Sequence, residues 1–171
     1  NQRSLGSDKE KVTALAKAVV RGMHDAGVLS IAKHYPSANQ HPFNGAIIDS
    51  HMAETYSVQT KEELMEYNLY PYMELMKEGL LDGIMTGHYR FVNIDDTRPA
   101  SLSKPVIDII RELGFDGFLI TDSLGMRGVT GRFGRTLPVG LSVQAGNDLT
   151  LSCRPEMRLK HETILSCYEQ G

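Results

Sequence analysis

The chain has 171 residues, within the size range of one domain, and 41% of them are hydrophobic and 23% charged, ordinary for a water-soluble fold. Its 18 basic and 21 acidic side chains leave a net charge of −3, which excludes a basic footprint for nucleic acid. No apolar run reaches the roughly 18 residues of a membrane-spanning helix, and the two cysteines, Cys153 and Cys167, are too few for a disulfide framework and have no CxxC spacing for zinc. They read as reduced thiols, which favours a reducing compartment such as the cytoplasm.

The first element expected is a helix over residues 8–26, with Val12, Leu15, Ala16, Val19, Val20 and Met23 at helical spacing and Gly27 as its stop. Residues 28–32 form a short apolar run expected as a strand, which ends in Lys33-His34-Tyr35-Pro36. A polar loop follows from Pro36 to about Ser57. A loop that long in a compact domain points to a functional lid or a mobile segment. Residues 59–77 are helical in pattern, and Pro71 is expected to kink or split that helix.

The alternation then repeats. Residues 80–86 read as a strand that runs into Gly87-His88. Ser103 is an N-cap for a helix that ends at Gly114, and residues 117–121 are a third strand leading into Asp122. A glycine-rich connection over 125–134, a short helix over 137–145, a fourth strand over 148–151 and a last helix over 155–168 complete the pattern. Apolar strands separated by helices imply a parallel sheet covered by helices, either a (β/α) barrel or a doubly wound sheet. No GxGxxG or GxxxxGK[ST] follows any strand, which argues against nucleotide binding.

The ionisable residues gather just after the strand ends: Lys33 and His34, His88, and Asp122. In a barrel those ends build the active site. Asp122 suits three roles: helix cap, nucleophile or metal ligand. Ligation would need partners from neighbouring strand ends, where only His34 and His88 stand, so no metal or other cofactor is expected. Asp49 and His51, two apart in the long loop, can point to one side; there a carboxylate fixes the tautomer of an imidazole and raises its basicity, as a general acid/base needs. The same spacing in a polar loop also occurs as surface decoration, and His41 reads that way too.

Several segments in order resemble the N-terminal catalytic domain of glycoside hydrolase family 3. They are residues 3–8 (RSLGSD), 32–36 (AKHYP), 49–51 (DSH), 82–88 (DGIMTGH), 99–103 (PASLS), 114–126 (GFDGFLITDSLGM) and 145–148 (AGND). The resemblance implies a retaining enzyme of the β-N-acetylhexosaminidase branch, with Asp122 as nucleophile and Asp49–His51 as an acid/base dyad. Arg3, Lys33 and His34 would bind the sugar and His88 would line the same pocket; Lys33 or Arg3 would help to keep Asp122 ionised. The implied partner is a carbohydrate, a β-N-acetylglucosaminide or, in the alternative, a β-glucoside; a non-catalytic sugar-binding fragment is the third reading. Ser37-Ala38-Asn39 stands where the family has Gly-His-Gly, and Ser123 where a second Asp is common. The family's first barrel strands have no counterpart here. A complete (β/α)₈ barrel takes about 250 residues and at least about 200, so residues 1–171 are expected to form one partial TIM-barrel-type α/β domain.

Overall fold

The computed structural model describes residues 4–38, 49–152 and 157–170. Helix α1 (Lys9–Asp25) starts where the sequence places it, because the Asp8 carboxylate accepts a hydrogen bond from the Lys11 amide at 2.8 Å. Strand β1 (Ile31–Tyr35) begins three residues later than the apolar run suggests. The Ser30 amide and hydroxyl are both taken by the Asp82 carboxylate, at 2.7 and 2.9 Å, so the ladder opens only beyond them, and Val28 and Leu29 are exposed. The long loop contains a strand that its pattern does not reveal: β2 (Thr55–Ser57) pairs in parallel with β4 (Tyr89–Phe91) in a small second sheet.

The expected helix over 59–77 is split, as Pro71 demands. A single helical turn, α2 (Lys61–Glu63), carries a capping box from Thr60 and Glu63, passes through a π-turn (Leu64–Asn68), and gives way to α3 (Tyr70–Lys77), with Pro71 in its first turn. Strand β3 (Gly83–Thr86) follows. Then α4 (Lys104–Glu112) is capped by the Ser103 hydroxyl and stopped at Gly114, whose φ of 92° suits only glycine well. Strand β5 (Phe118–Thr121) leads to α5 (Arg127–Phe133), α6 (Leu137–Gln144) and α7 (Met157–Glu169). The expected fourth strand is an extended segment with one bridge, Leu149 to Ile120. The Asp148 carboxylate takes the Leu119 amide at 2.7 Å, a bond that a ladder would have given to a carbonyl.

The main sheet has the parallel order β1-β3-β5. Ile84 and Leu119 face Val106, Ile107 and Ile110 of α4 in the principal core, which also holds Tyr35, Leu64 and Leu69. On the opposite face Met85 and Ile120 lie side by side and Phe118 covers Gly83, and these three side chains are half-exposed rather than buried as the continuous apolar runs suggest. A parallel sheet with helices on its outer face and an inner face lined by alternate side chains is the construction of a (β/α) barrel, of which the described strands form a part. Its C-terminal strand ends all open on one side, and there the ionisable groups meet.

Candidate active site

Asp122 stands directly after β5. Its amide donates to the Thr86 carbonyl at the end of β3 (2.9 Å), which fixes the residue across two strand ends. One carboxylate oxygen accepts the Ser123 amide at 2.7 Å, and the other lies 3.3 Å from Nε2 of His34. His34 gets there through an irregularity in β1. Lys33 pairs with Met85 but Tyr35 pairs with Thr86, so His34 is the extra residue of a bulge that turns its ring toward the mouth of the sheet. The His34 contact foremost, and the Ser123 amide after it, hold the Asp122 carboxyl far below its ordinary range against the opposing effect of burial. Asp122 is therefore ionised at any ordinary pH. Among the described residues the group beside it is His34, and Lys33, which the sequence suggested for that task, is not one of the groups that hold it ionised. Lys33 is exposed and lines a cavity of about 410 Å³ beside α1 and α3, and Arg3 lies outside the described residues, as does His41.

His88 follows β3 and is only 2% exposed. Its Nδ1 lies 2.8 Å from the Ser101 hydroxyl, and its Nε2 lies 3.0 Å from the Ser123 carbonyl. A carbonyl can only accept, so Nε2 carries the proton, and Nδ1 accepts from Ser101. Both ring nitrogens are thus engaged by protein. Where the sequence suggested a pocket-lining group, the ring lies beneath the Asp122–Ser123 turn and holds it. Burial keeps the imidazole below its ordinary 6.5 and hence neutral. The Asp122 carboxylate acts the other way, raising it.

The network continues inward. Asn147, 4% exposed, donates to the carbonyls of Ser101 and Ser142 at 2.9 and 2.8 Å, and its side-chain oxygen accepts from the Thr86 hydroxyl at 2.8 Å. Thr86, Asn147, Ser101 and His88 form one chain of satisfied polar groups beneath the strand ends, a rigid support for a carboxylate. Sequence reading missed Thr86, Ser101 and Asn147 as site residues, although each stands in a segment that carries the resemblance. No periodicity marks a residue whose task is to hold another.

Asp49 and His51 do pair. Asp49 Oδ1 accepts the His51 amide at 2.9 Å and lies 2.7 Å from His51 Nδ1, and these bonds, amide first and ring second, hold the Asp49 carboxyl below its ordinary range. A carboxylate on Nδ1 places the proton there and leaves Nε2 to exchange protons with a substrate. Both side chains are more than half exposed, 60% for His51 and 64% for Asp49, so Nε2 is open to approach. Their loop is tied to its surroundings at Glu54, whose Oε1 lies 3.0 Å from Nε of Arg90 on β4 and 3.4 Å from Nη1 of Arg132 on α5. Among the described residues no three His, Cys, Asp or Glu side chains converge as a metal site would require, and no helix is long and apolar enough to cross a membrane.

The family description "Glycosyl hydrolase family 3 N terminal domain" matches residues 1–171. A β-hexosaminidase of Haemophilus influenzae is 37% identical over 155 residues, which are 88% of this chain and 42% of that protein. Among solved structures, a glycoside hydrolase family 3 β-N-acetylglucosaminidase from Paenibacillus superposes with a TM-score of 0.85 at 33% identity, over 99% of this chain and 32% of its own. A β-glucoside phosphorylase, BglX, does so with a TM-score of 0.85 at 26% identity, over 100% of this chain and 32% of its own. The chain therefore spans less than half the length of each of these relatives.

Proposed function

Because the chain belongs to the N-terminal domain of glycosyl hydrolase family 3, we propose that it carries the catalytic residues of a retaining glycoside hydrolase that releases terminal β-linked N-acetylglucosamine. In this reading residues 1–171 are one partial barrel domain of the protein. Asp122 is the nucleophile, His51 the acid/base and Asp49 its orienting partner. His34, Lys33 and Arg3 contact the sugar, and His88 acts from beneath by holding the nucleophile's turn.

The observation that carries the reading is the 2.7 Å contact of Asp49 Oδ1 with His51 Nδ1, in a chain that also holds an ionised carboxylate at a strand end. Two steps follow from it. An Asp122 oxygen attacks the anomeric carbon as the glycosidic C–O bond breaks, and Nε2 of His51 gives its proton to the departing oxygen. Water then attacks the same carbon, losing its proton to Nε2, and the bond to Asp122 breaks, with the carboxylate as leaving group. Asp49 keeps the ring in one tautomer through both steps and offsets the charge of the imidazolium. The names of the hexosaminidase relatives favour N-acetylglucosamine over glucose as the sugar.

The test follows the product by proton NMR as the full-length protein cleaves an aryl β-N-acetylglucosaminide. A double displacement releases the β-anomer first, with the α-anomer appearing only as the sugar mutarotates. Release of the α-anomer first, or no cleavage, overturns the reading.

A further inference from the structure

Two of the first three residues of α5 have amides with no partner inside the helix, as in any α-helix, and here the usual remedy is missing. Met126 occupies the N-cap position and has no side-chain acceptor to offer. The acceptors come from the loop that carries the acid/base pair. The Gly128 amide donates to the Ser50 carbonyl at 3.0 Å, and the Arg127 amide reaches the His51 carbonyl at 3.4 Å. His51, the partner of Asp49, and Ser50 between the two thus cap the helix with their backbone carbonyls.

Contact this close needs a missing side chain. A Cβ on Gly128 would lie 2.8 Å from the Ser50 oxygen, closer than a carbon and a carbonyl oxygen sit, and a tight 3.0 Å from the Ala53 oxygen, so the loop backbone would have to shift. Gly128 has no positive φ that would itself call for glycine, and alanine is the better helix former by about 1 kcal/mol. The close approach of the loop is what the glycine serves. Gly131, on the same helix, meets nothing within 4 Å and makes the contrast clear.

The same segment carries Asp122. From that carboxylate the chain runs through Ser123 to Met126, whose amide donates to the Ser123 carbonyl at 3.1 Å, and directly into α5. The Ser123 carbonyl is also the one that His88 holds. We propose that Gly128 is a positioning residue for the reaction: by admitting the Ser50–Ala53 backbone onto the start of α5, it sets the distance from His51 to Asp122 through the short connection between Asp122 and the helix. The ion pairs of Glu54 with Arg90 and Arg132 hold the far side of the same loop against β4 and α5. The proposal rests on the roles given above to Asp122 and His51.

The test compares two aryl β-N-acetylglucosaminides in the full-length protein. One has a phenyl leaving group, which needs a proton to depart; the other has a dinitrophenyl group, which leaves without one. kcat/KM reports the steps up to formation of the glycosyl-enzyme, so it separates the role of His51 as acid from its later role as base. Gly128→Ala is therefore expected to lower kcat/KM on the phenyl substrate by about 10- to 100-fold. Its loss on the dinitrophenyl substrate is expected to be several times smaller, and Gly128→Val is expected to widen the gap. Gly131→Ala leaves both rates at wild-type values. Equal losses on the two substrates in Gly128→Ala, or none, overturn the proposal while leaving the glycosidase reading in place. Should Gly128→Val fail to fold, as melting would reveal, Gly128→Ala decides alone. A wild-type protein that turns over neither substrate removes the glycosidase reading and this proposal together.

Discussion

Replacing His88 by leucine brings in a side chain of similar size but no polarity, so its cost is almost wholly the loss of two hydrogen bonds. The Ser101 hydroxyl is completely buried, away from bulk solvent, and loses the ring nitrogen 2.8 Å away. An unsatisfied buried group of this kind costs about 1–3 kcal/mol. The Ser123 carbonyl, 3.0 Å from the other ring nitrogen, keeps the Met126 amide as a donor, which limits its part to about 0.5–1.5 kcal/mol. Together these give a loss of about 1.5–4.5 kcal/mol, read as a shift of the urea midpoint in the full-length protein. Ser101→Ala breaks the first of the two bonds from the other side. A double-mutant cycle of His88→Leu with Ser101→Ala should therefore show coupling of about 1–2 kcal/mol. His88→Leu at a cost below about 0.5 kcal/mol, the range of an ordinary surface change, would refute the claim that this ring supports the Asp122–Ser123 turn.

Asp49→Ala leaves His51 in place but frees its ring. The expected result is a fall in kcat of about 10²–10⁴-fold on a substrate with a poor leaving group, with a smaller change in KM. Acid stability gives a second check. His88 is neutral when folded and its folded pKa is lowered, so the unfolded chain binds the extra proton first. Its contribution is complete above 6.5 and is lost as pH falls from there toward the lowered folded value, at about 1.4 kcal/mol per pH unit. Melting temperatures measured from pH 7.5 to 5 should show that decline, and His88→Gln should flatten it. Asp49 and Asp122 act in the same direction at lower pH. Both are held below 3.8, so what they contribute persists above that value and is lost only in stronger acid.

Much of this arrangement was legible in the sequence, for physical reasons that particular residues make plain. Asp8 and Ser103 announce α1 and α4 because a short oxygen-bearing side chain before an apolar helical pattern caps orphan amides. Gly27 and Gly114 close the same helices with φ of 71° and 92°. The run before Asp122 could be recognised as β5 because it is apolar throughout. Helix α5 could not, since Gly128, Gly131 and Thr130 all disfavour a helix locally, and what holds it is capping by a distant loop. Strands β2 and β4 are three residues each, too short for any periodicity. The site divides in the same way. Asp122, Asp49 and His51 stand out because their chemistry is unusual where they occur. The role of His88 depends on Ser101, thirteen residues away, and on Ser123, thirty-five residues away, and no local pattern reports such pairings.

The central claim is that Asp122 is the nucleophile of a β-N-acetylglucosaminidase. The most direct measurement sets aryl β-N-acetylglucosaminide and aryl β-glucoside side by side against the full-length protein and its Asp122→Asn variant. The asparagine nearly preserves the shape of the turn and can no longer form the glycosyl ester. The account predicts faster cleavage of the N-acetylglucosaminide by the wild type and a loss of at least about 10³-fold in the variant. Cleavage by Asp122→Asn at the wild-type rate would contradict it.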